Sequence, residues 1–247
     1  MKKFILPFII VLFWGFQGFS QYKTLWGEQG PSSQEKKWIS PIDSIYTYGT
    51  IATEQEVEKC VEAADKGGDL AARARLGVFM IISDEHELGM RLLDTIEKAY
   101  LHEEQFEKLS DKNKSFIRDS ISCKRALFFL AYKVYLGEKV PQNLRNRDKG
   151  MTLLKKLAEN NYPFSMTIIG EIYSNGLYGF PKNENEAYKW FMKGAKAGDA
   201  ESQYLYGAMN YFGVVKARDL ETARYWMNKS AKQGLPLAKD FLRQNAF

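Results

Sequence analysis

Histidine and cysteine are scarce, two of each in 247 residues. Cys60 and Cys123 are too few for a disulfide-dense scaffold or a four-cysteine zinc site. His86 and His102 leave little material for imidazole catalysis, and neither opens a metalloprotease motif. Four positions on stand Met90 and Phe106, so no helix presents two imidazoles on one face. The Gly-x-Ser-x-Gly elbow and the phosphate-binding Gly-Lys-Ser/Thr loop are missing. Carboxylates do sit side by side at Asp84-Glu85 and Glu103-Glu104. Neighbours on a helix diverge by about 100°, so these pairs read as solvated surface. An excess of one charge is lacking as well: 35 Lys+Arg against 30 Asp+Glu give +5, with no dense basic stripe to suit nucleic acid. The residues therefore argue against catalysis, and against a metal, a cofactor or a nucleic-acid partner.

Long apolar runs are lacking too, except at the start. Residues 1–20 read Met-Lys-Lys, an apolar stretch from Phe4 to Phe16, then small residues at Gly18 and Ser20. That pattern is the one expected of a secretory signal peptide cleaved before Gln21. Thirteen residues at helical rise cover roughly 20 Å, short of the ~30 Å hydrocarbon core, so a retained membrane span is the weaker reading. No cysteine follows the expected cleavage site to carry a lipid. Cleavage would remove Lys2 and Lys3 and take the formal +5 down by two. The expected product is periplasmic or secreted, with no stable membrane span. Residues 21–50 combine Gly27, Gly30, Pro31, Ser32, Ser33 and Pro41 with scattered aromatics. They show no helical period and read as an extended or disordered leader.

What the sequence does have is a repeat. Phe164–Asp199 and Glu201–Leu235 align, with Ala187/Ala223, Trp190/Trp226, Lys193/Lys229, Ala195/Ala231 and Gly198/Gly234 each 36 residues apart. Gly170/Gly207 and Gly176/Gly213 are 37 apart, so one loop is longer by a residue. A weaker unit upstream carries Leu130-Ala131, Gly137, Gly150, Leu153, Lys156 and Ala158. A further one carries Gly68-Asp69, Ala72 and Leu76-Gly77, and Glu54–Lys66 reads as the second half of another. Self-similarity at this period marks a stacked helical array. Ala187, Trp190, Phe191, Gly194 and Ala195 fall on one helix face, as do Ala223, Trp226, Met227, Ser230 and Ala231. Asn183, Asp199 and Asp219 suit N-caps. Gly176, Gly198, Gly213 and Gly234 suit helix ends, and Gly170 and Gly207 suit close helix approach. The fold expected is all-α, a right-handed α-solenoid of antiparallel helix pairs over residues 51–247.

Small residue, Leu-Gly, aromatic, Gly, then Ala, Trp, Lys-x-Ala and Gly-Asp together resemble the Sel-one-like repeat, a relative of the tetratricopeptide repeat. The resemblance runs over about residues 54–245 and is most specific over 164–235. Asn210 stands where the family has tyrosine, and the two earlier units lack the tryptophan. The resemblance implies a scaffold that joins proteins into complexes rather than a chemistry. In bacteria such proteins are often exported to act in envelope complexes, signalling, polysaccharide export or host contact. The cysteine-rich branch of the family bridges each unit internally; that spacing is missing, so no activity of that branch carries over.

Against the repeat period, the distance from Gly89 to Ala131 carries a surplus of 22 residues near Tyr100–Ile121. This insertion, near 100–121, is charged and part helical in pattern. It reads either as a solvated extra helix or as a binding element peculiar to this chain. Cys60 and Cys123 read as buried thiols, with a bridge between them the less favoured alternative. Trp190 and Trp226 read as packing rather than as a ligand box.

In a stack of helix pairs the first helix of each pair lines the inner face. Phe128, Tyr132 and Tyr135 correspond there to Thr167, Glu171 and Ser174, and then to Tyr204, Ala208 and Tyr211. Each trio has i, i+4, i+7 spacing, a stripe suited to a protein or peptide partner; the alternative is packing between repeats. The leading expectation is thus an exported scaffold that binds a protein or peptide through its concave face. A regulator or immunity-type protein sequestering one partner, and a cell-wall-acting hydrolase, are the lesser readings.

Overall fold

The computed structural model describes residues 62–64, 68–82, 85–137 and 140–245. The segment read as a signal peptide, the leader and Cys60 lie outside the described residues. Among the described residues all regular structure is helical. None of these helices is long and apolar enough to cross a membrane. The chain divides near Leu130 into two compact units.

In the first unit α1 (Leu70–Ile82) and α2 (His86–Leu101) form a helix pair, followed by α3 (Glu103–Glu107), α4 (Asp111–Asp119) and α5 (Ile121–Phe129). Leu76 and Met80 of α1 are buried with Ala64 and Ala72, and Leu88 and Leu92 of α2 close over them. Asp69 starts α1: its carboxylate accepts the N–H of Ala71 at 2.8 Å and of Ala72 at 3.3 Å. Gly68-Asp69 therefore does what its repeat position implies.

The insertion is α3 and α4, and it is latched to that helix start. Lys112 Nζ lies 2.8 Å from Asp69 Oδ2 and holds this carboxyl below its ordinary range. Asn113 donates to the Gly68 carbonyl at 3.0 Å and accepts the Leu70 N–H at 3.4 Å. Phe106 and Ile117 are buried, with the Arg118 guanidinium 4.5 Å above the Phe106 ring. The insertion is helical and mostly exposed, as the solvated-helix reading has it, and is seated on two apolar side chains that neither reading included. Cys123 of α5 is a free thiol with no exposed surface, and burial pushes it up to about 12, which leaves it unreactive.

The second unit opens with a π-helical stretch, Leu130–Tyr135, whose first residue belongs to the preceding unit. It continues through α6 (Arg147–Glu159), α7 (Pro163–Asn175), α8 (Glu184–Lys196), α9 (Ala200–Phe212), α10 (Leu220–Lys232) and α11 (Pro236–Gln244). The pairs α7–α8 and α9–α10 stack in chain order, an all-α solenoid. Three equivalent bonds close the turns within pairs. The N–H groups of Asn146, Asn183 and Asp219 donate to the carbonyls of Tyr135, Tyr173 and Asn210 at 3.1, 2.7 and 3.0 Å. The same three residues cap the helices that follow, accepting from Lys149, Glu186 and Thr222 N–H. The first helices α7 and α9 end at Gly176 (φ 69°) and Gly213 (φ 66°), where a side chain would be strained.

Inside this unit Ala187, Phe191 and Ala195 of α8 pack with Tyr188, Tyr206 and Met209, and Trp226 closes the edge. Both repeat tryptophans stand at the rim of that packing rather than within it. Lys193 Nζ sits 4.2 Å above Trp190, and Lys229 Nζ 5.0 Å above Trp226. At i+3 from the buried alanine a large indole reaches the flank of the helix, where the next-turn lysine covers it. Tyr188 takes the interior place instead, bonded to Tyr206 and Asn210 at 3.2 and 3.1 Å.

Helices α7 and α8 come together at Gly170, where an added methyl would lie 2.5 Å from the Phe191 ring. That ring is itself buried and has nowhere to go. Gly170→Ala is therefore expected to lower stability by about 1–3 kcal/mol, as overpacked cores do. Thermal unfolding of the two proteins side by side measures it, and equal midpoints would refute the close approach.

Candidate partner-binding face

Phe128, first of the nine stripe residues, belongs to the first unit and the other eight to the second. Three of the nine are not surface at all: Phe128, Tyr135 and Thr167 are 1%, 3% and 3% exposed. The expectation of a nine-residue lining is corrected accordingly. Phe128 lies in Ala126–Ala131, where every residue is buried. The Tyr135 hydroxyl accepts from Lys149 Nζ at 2.6 Å, and the ammonium rests 4.7 Å above the ring. Thr167 donates its hydroxyl to Asp199 Oδ2 at 2.7 Å and lies 2.7 Å from Ser202 Oγ. It occupies the position of Tyr204, but a threonine is too short to emerge and serves the junction between repeats.

The remaining six, Tyr132, Glu171, Ser174, Tyr204, Ala208 and Tyr211, are part-exposed. Tyr132 meets the Tyr178 ring edge-on at 6.5 Å, and Lys133 Nζ lies 5.6 Å from the Tyr132 centroid. On α9 the residues Glu201, Tyr204, Ala208 and Tyr211 follow at i, i+3, i+7 and i+10, one face of the helix. Phe241 of α11 stands over that face, 6.2 Å from Tyr204 and 5.0 Å from Tyr211, both edge to face. Phe212 completes the aromatic group, 5.1 Å from Tyr211 and 6.2 Å from Phe241. At its rim Arg218 lies 4.5 Å over Tyr211.

At the other end of the face the charge is negative. Glu171 is pushed up to about 7, chiefly because it is crowded away from water and then because Glu201 and Asp199 are close. Glu201 moves in the same direction for the same reasons. Its side chain keeps solvent access, so water screens it and Glu171 carries the pH dependence. Asp199 is held in place by the Ser202 N–H at 2.7 Å as the cap of α9.

Glu201, Phe212 and Phe241 escaped the reading from sequence. The signal for α11 was there: Pro236-Leu-Ala falls 36 residues after Ala200-Glu-Ser, itself 37 after Pro163-Phe-Ser. Ala238, Ser202 and Ser165 at the third place of these triplets all have no exposed surface, so α11 is a further first helix. Among the described residues no group of three or more His, Cys, Asp or Glu is placed to hold a metal ion.

Comparison with known proteins meets this geometry in register. Residues 124–162, 163–199 and 200–235 each match the Sel1 repeat. Those boundaries put Phe128, Thr167 and Tyr204 at one repeat position, and Tyr132, Glu171 and Ala208 at another. Chitin synthase regulatory factor 3 of Schizosaccharomyces pombe is 37% identical over 92 residues, which are 37% of this chain and 10% of that protein. The chain thus matches about a tenth of the length of this relative. Among solved structures, a Sel1 repeat protein from Oxalobacter formigenes overlaps with a TM-score of 0.48 at 25% identity, over 63% of this chain and 99% of that one. A protective antigen of uropathogenic Escherichia coli strains, displaying an SLR fold, gives 0.44 at 23% identity, over 88% of this chain and 50% of that one.

A carboxyl that holds its proton more tightly folded than unfolded takes up a proton on folding between its ordinary 4.5 and about 7. The stability that this carboxyl lends is complete below 4.5 and is lost as pH rises through about 7. Glu171→Gln is therefore expected to match the parent in acid. At about pH 8 it should exceed the parent by on the order of 1 kcal/mol, discounted for water screening. Thermal midpoints across pH check this, and a gap that does not change with pH would contradict it.

Proposed function

We propose that this chain is an exported, non-catalytic scaffold whose Sel1 repeats hold a protein or peptide partner on the inner face of the second unit. One observation carries the reading. At equivalent places of successive first helices, Tyr132, Glu171 and Ala208 stay part-exposed, as do Ser174 and Tyr211 one turn further on. Exposed aromatic and acidic groups on a rigid stack are what recognition of another chain requires. Export rests on the basic, apolar, small-residue order of residues 1–20. A periplasmic or extracellular place follows from that order alone.

The relative from Schizosaccharomyces pombe, a regulatory factor of chitin synthase, supports a variant of this reading in which the partner is an enzyme that the complex controls. A sequestering role built on the insertion has less support. Lys112 and Asn113 are engaged with the start of α1, and Phe106 and Ile117 with the interior.

Replacing Tyr132, Glu171 and Tyr204 together by alanine tests the scaffold. Affinity capture from the envelope and culture fluid of the producing cell, quantified by mass spectrometry, is expected to lose its partner. The helical circular dichroism of the variant should stay that of the parent. Capture at the parental level by the folded triple variant would end the proposal.

A further inference from the structure

Apolar side chains that a lone soluble chain would cover are left outside at the far end of the second unit. Phe212 is 66% exposed, Leu237 55% and Val214 40%. Phe212 borders the group formed by Tyr204, Tyr211 and Phe241, and Leu237 stands four residues before Phe241 on α11, the last first-type helix described. A cluster of this kind rimmed by polar groups is the mark of a docking surface.

Its occupant is set by charge. From Glu201 to Tyr211 the face of α9 runs about 15 Å at helical rise, with aromatic rings at one end and carboxylates at the other. The neighbouring charges that act on Glu171 are Glu201 and Asp199, both negative. Asp199 accepts from the Ser202 N–H and the Thr167 hydroxyl, both neutral donors, so its bonds bring no cation to the group. Several cations of this unit are engaged with other groups: Lys193 lies over Trp190, Lys229 over Trp226 and Lys149 over Tyr135, while Lys182 and Lys189 pair with Glu184 and Glu186. Arg218 lies on Tyr211, at the aromatic end of the same face and ten residues along α9 from Glu201. Two carboxylates brought together, with no cation among the described residues acting on Glu171, next to exposed aromatic rings, are complementary to a cation beside an apolar group.

We propose that the face of α7, α9 and α11 docks a partner segment that sets a Lys or Arg against Glu171 and Glu201 and an aromatic or branched aliphatic side chain among Tyr204, Phe212 and Phe241. This rests on the scaffold reading above and specifies its partner. Such a segment supplies the missing positive charge and covers Phe212 in one step. A face of about 15 Å takes four or five extended residues or some ten helical ones. Ionised carboxylates bind it, so capture strengthens as pH rises through the titration of Glu171. Among the described residues, Glu201, Asp199 and, at the far end, Arg218 are the charged groups that share the face with it.

The test uses the full chain and a phage-displayed library of random peptides about twelve residues long. The library is panned at about pH 8, and enriched peptides are then measured by fluorescence polarisation. Enriched sequences are expected to pair Lys or Arg with an aromatic or aliphatic residue. They should bind about tenfold more weakly to Glu171→Gln/Glu201→Gln, which keeps the shape of both side chains, and to Phe212→Ser, at a side chain 66% exposed. Peptides that are neutral or acidic, or that bind the double glutamine variant as well as the parent, would overturn this inference and leave the scaffold standing. Failure to enrich any peptide over a blank support would overturn both.

Discussion

The carboxylate of Asp199 fixes how one repeat lies on the next. One of its oxygens accepts the Ser202 N–H that starts α9 and the Thr167 hydroxyl that comes from α7. Ser202 Oγ reaches the same threonine, and Ser230 donates across to the Ala200 carbonyl at 2.7 Å. A helix start, a preceding first helix and a following second helix thus meet at one buried polar point, which apolar packing alone would not hold in register. Asp69 repeats the arrangement at α1, with Lys112 from the insertion as its partner. Because Asp199 sets α9 against α7, it also sets Glu171 beside Glu201 and lays out the face on which the functional reading depends.

Much of this was legible in the residues. Asn183, Asp199 and Asp219 read as caps because a short polar side chain just ahead of an apolar period has one obvious use, and all three accept the expected N–H. Gly170 read as a point of close approach, and it is one. The inner stripe was read only in part. Period-3.6 spacing says which residues share a face but not how far each reaches. Thr167 and Tyr204 hold equivalent positions, yet the short side chain is consumed by the junction and the long one emerges. Tyr135 shows the opposite case, a long side chain turned down and covered by Lys149. The two tryptophans are placed at the rim for a related reason: helical spacing cannot tell the middle of a packing face from its edge.

The insertion taught something else. A surplus of charged residues between repeats suggests solvent, and the helices α3 and α4 do carry exposed pairs such as Lys108–Glu104. What anchors them is Phe106 and Ile117, two apolar residues in a charged stretch, together with a bond pattern to Gly68, Asp69 and Leu70 across more than forty residues. Contacts at that separation leave no local signature. The same holds for the aromatic end of the partner face, where Phe241 lies over two tyrosines of the preceding first helix, thirty or more residues earlier in the chain.

Function, on this account, comes from a rigid surface rather than from a reacting group. The stack keeps Tyr204 and Glu171 outward at no conformational cost when a partner arrives, and crowding at Glu171 is an expense of the folded state that a bound cation would offset. Site-specific photo-crosslinking in the producing cell tests this most directly. A benzophenone amino acid is placed at Tyr204 on the proposed face, or at Tyr225, which is 53% exposed on the second-type helix α10. The account predicts a discrete crosslinked partner from position 204 and none from position 225. Crosslinks from 225 with none from 204 would contradict it.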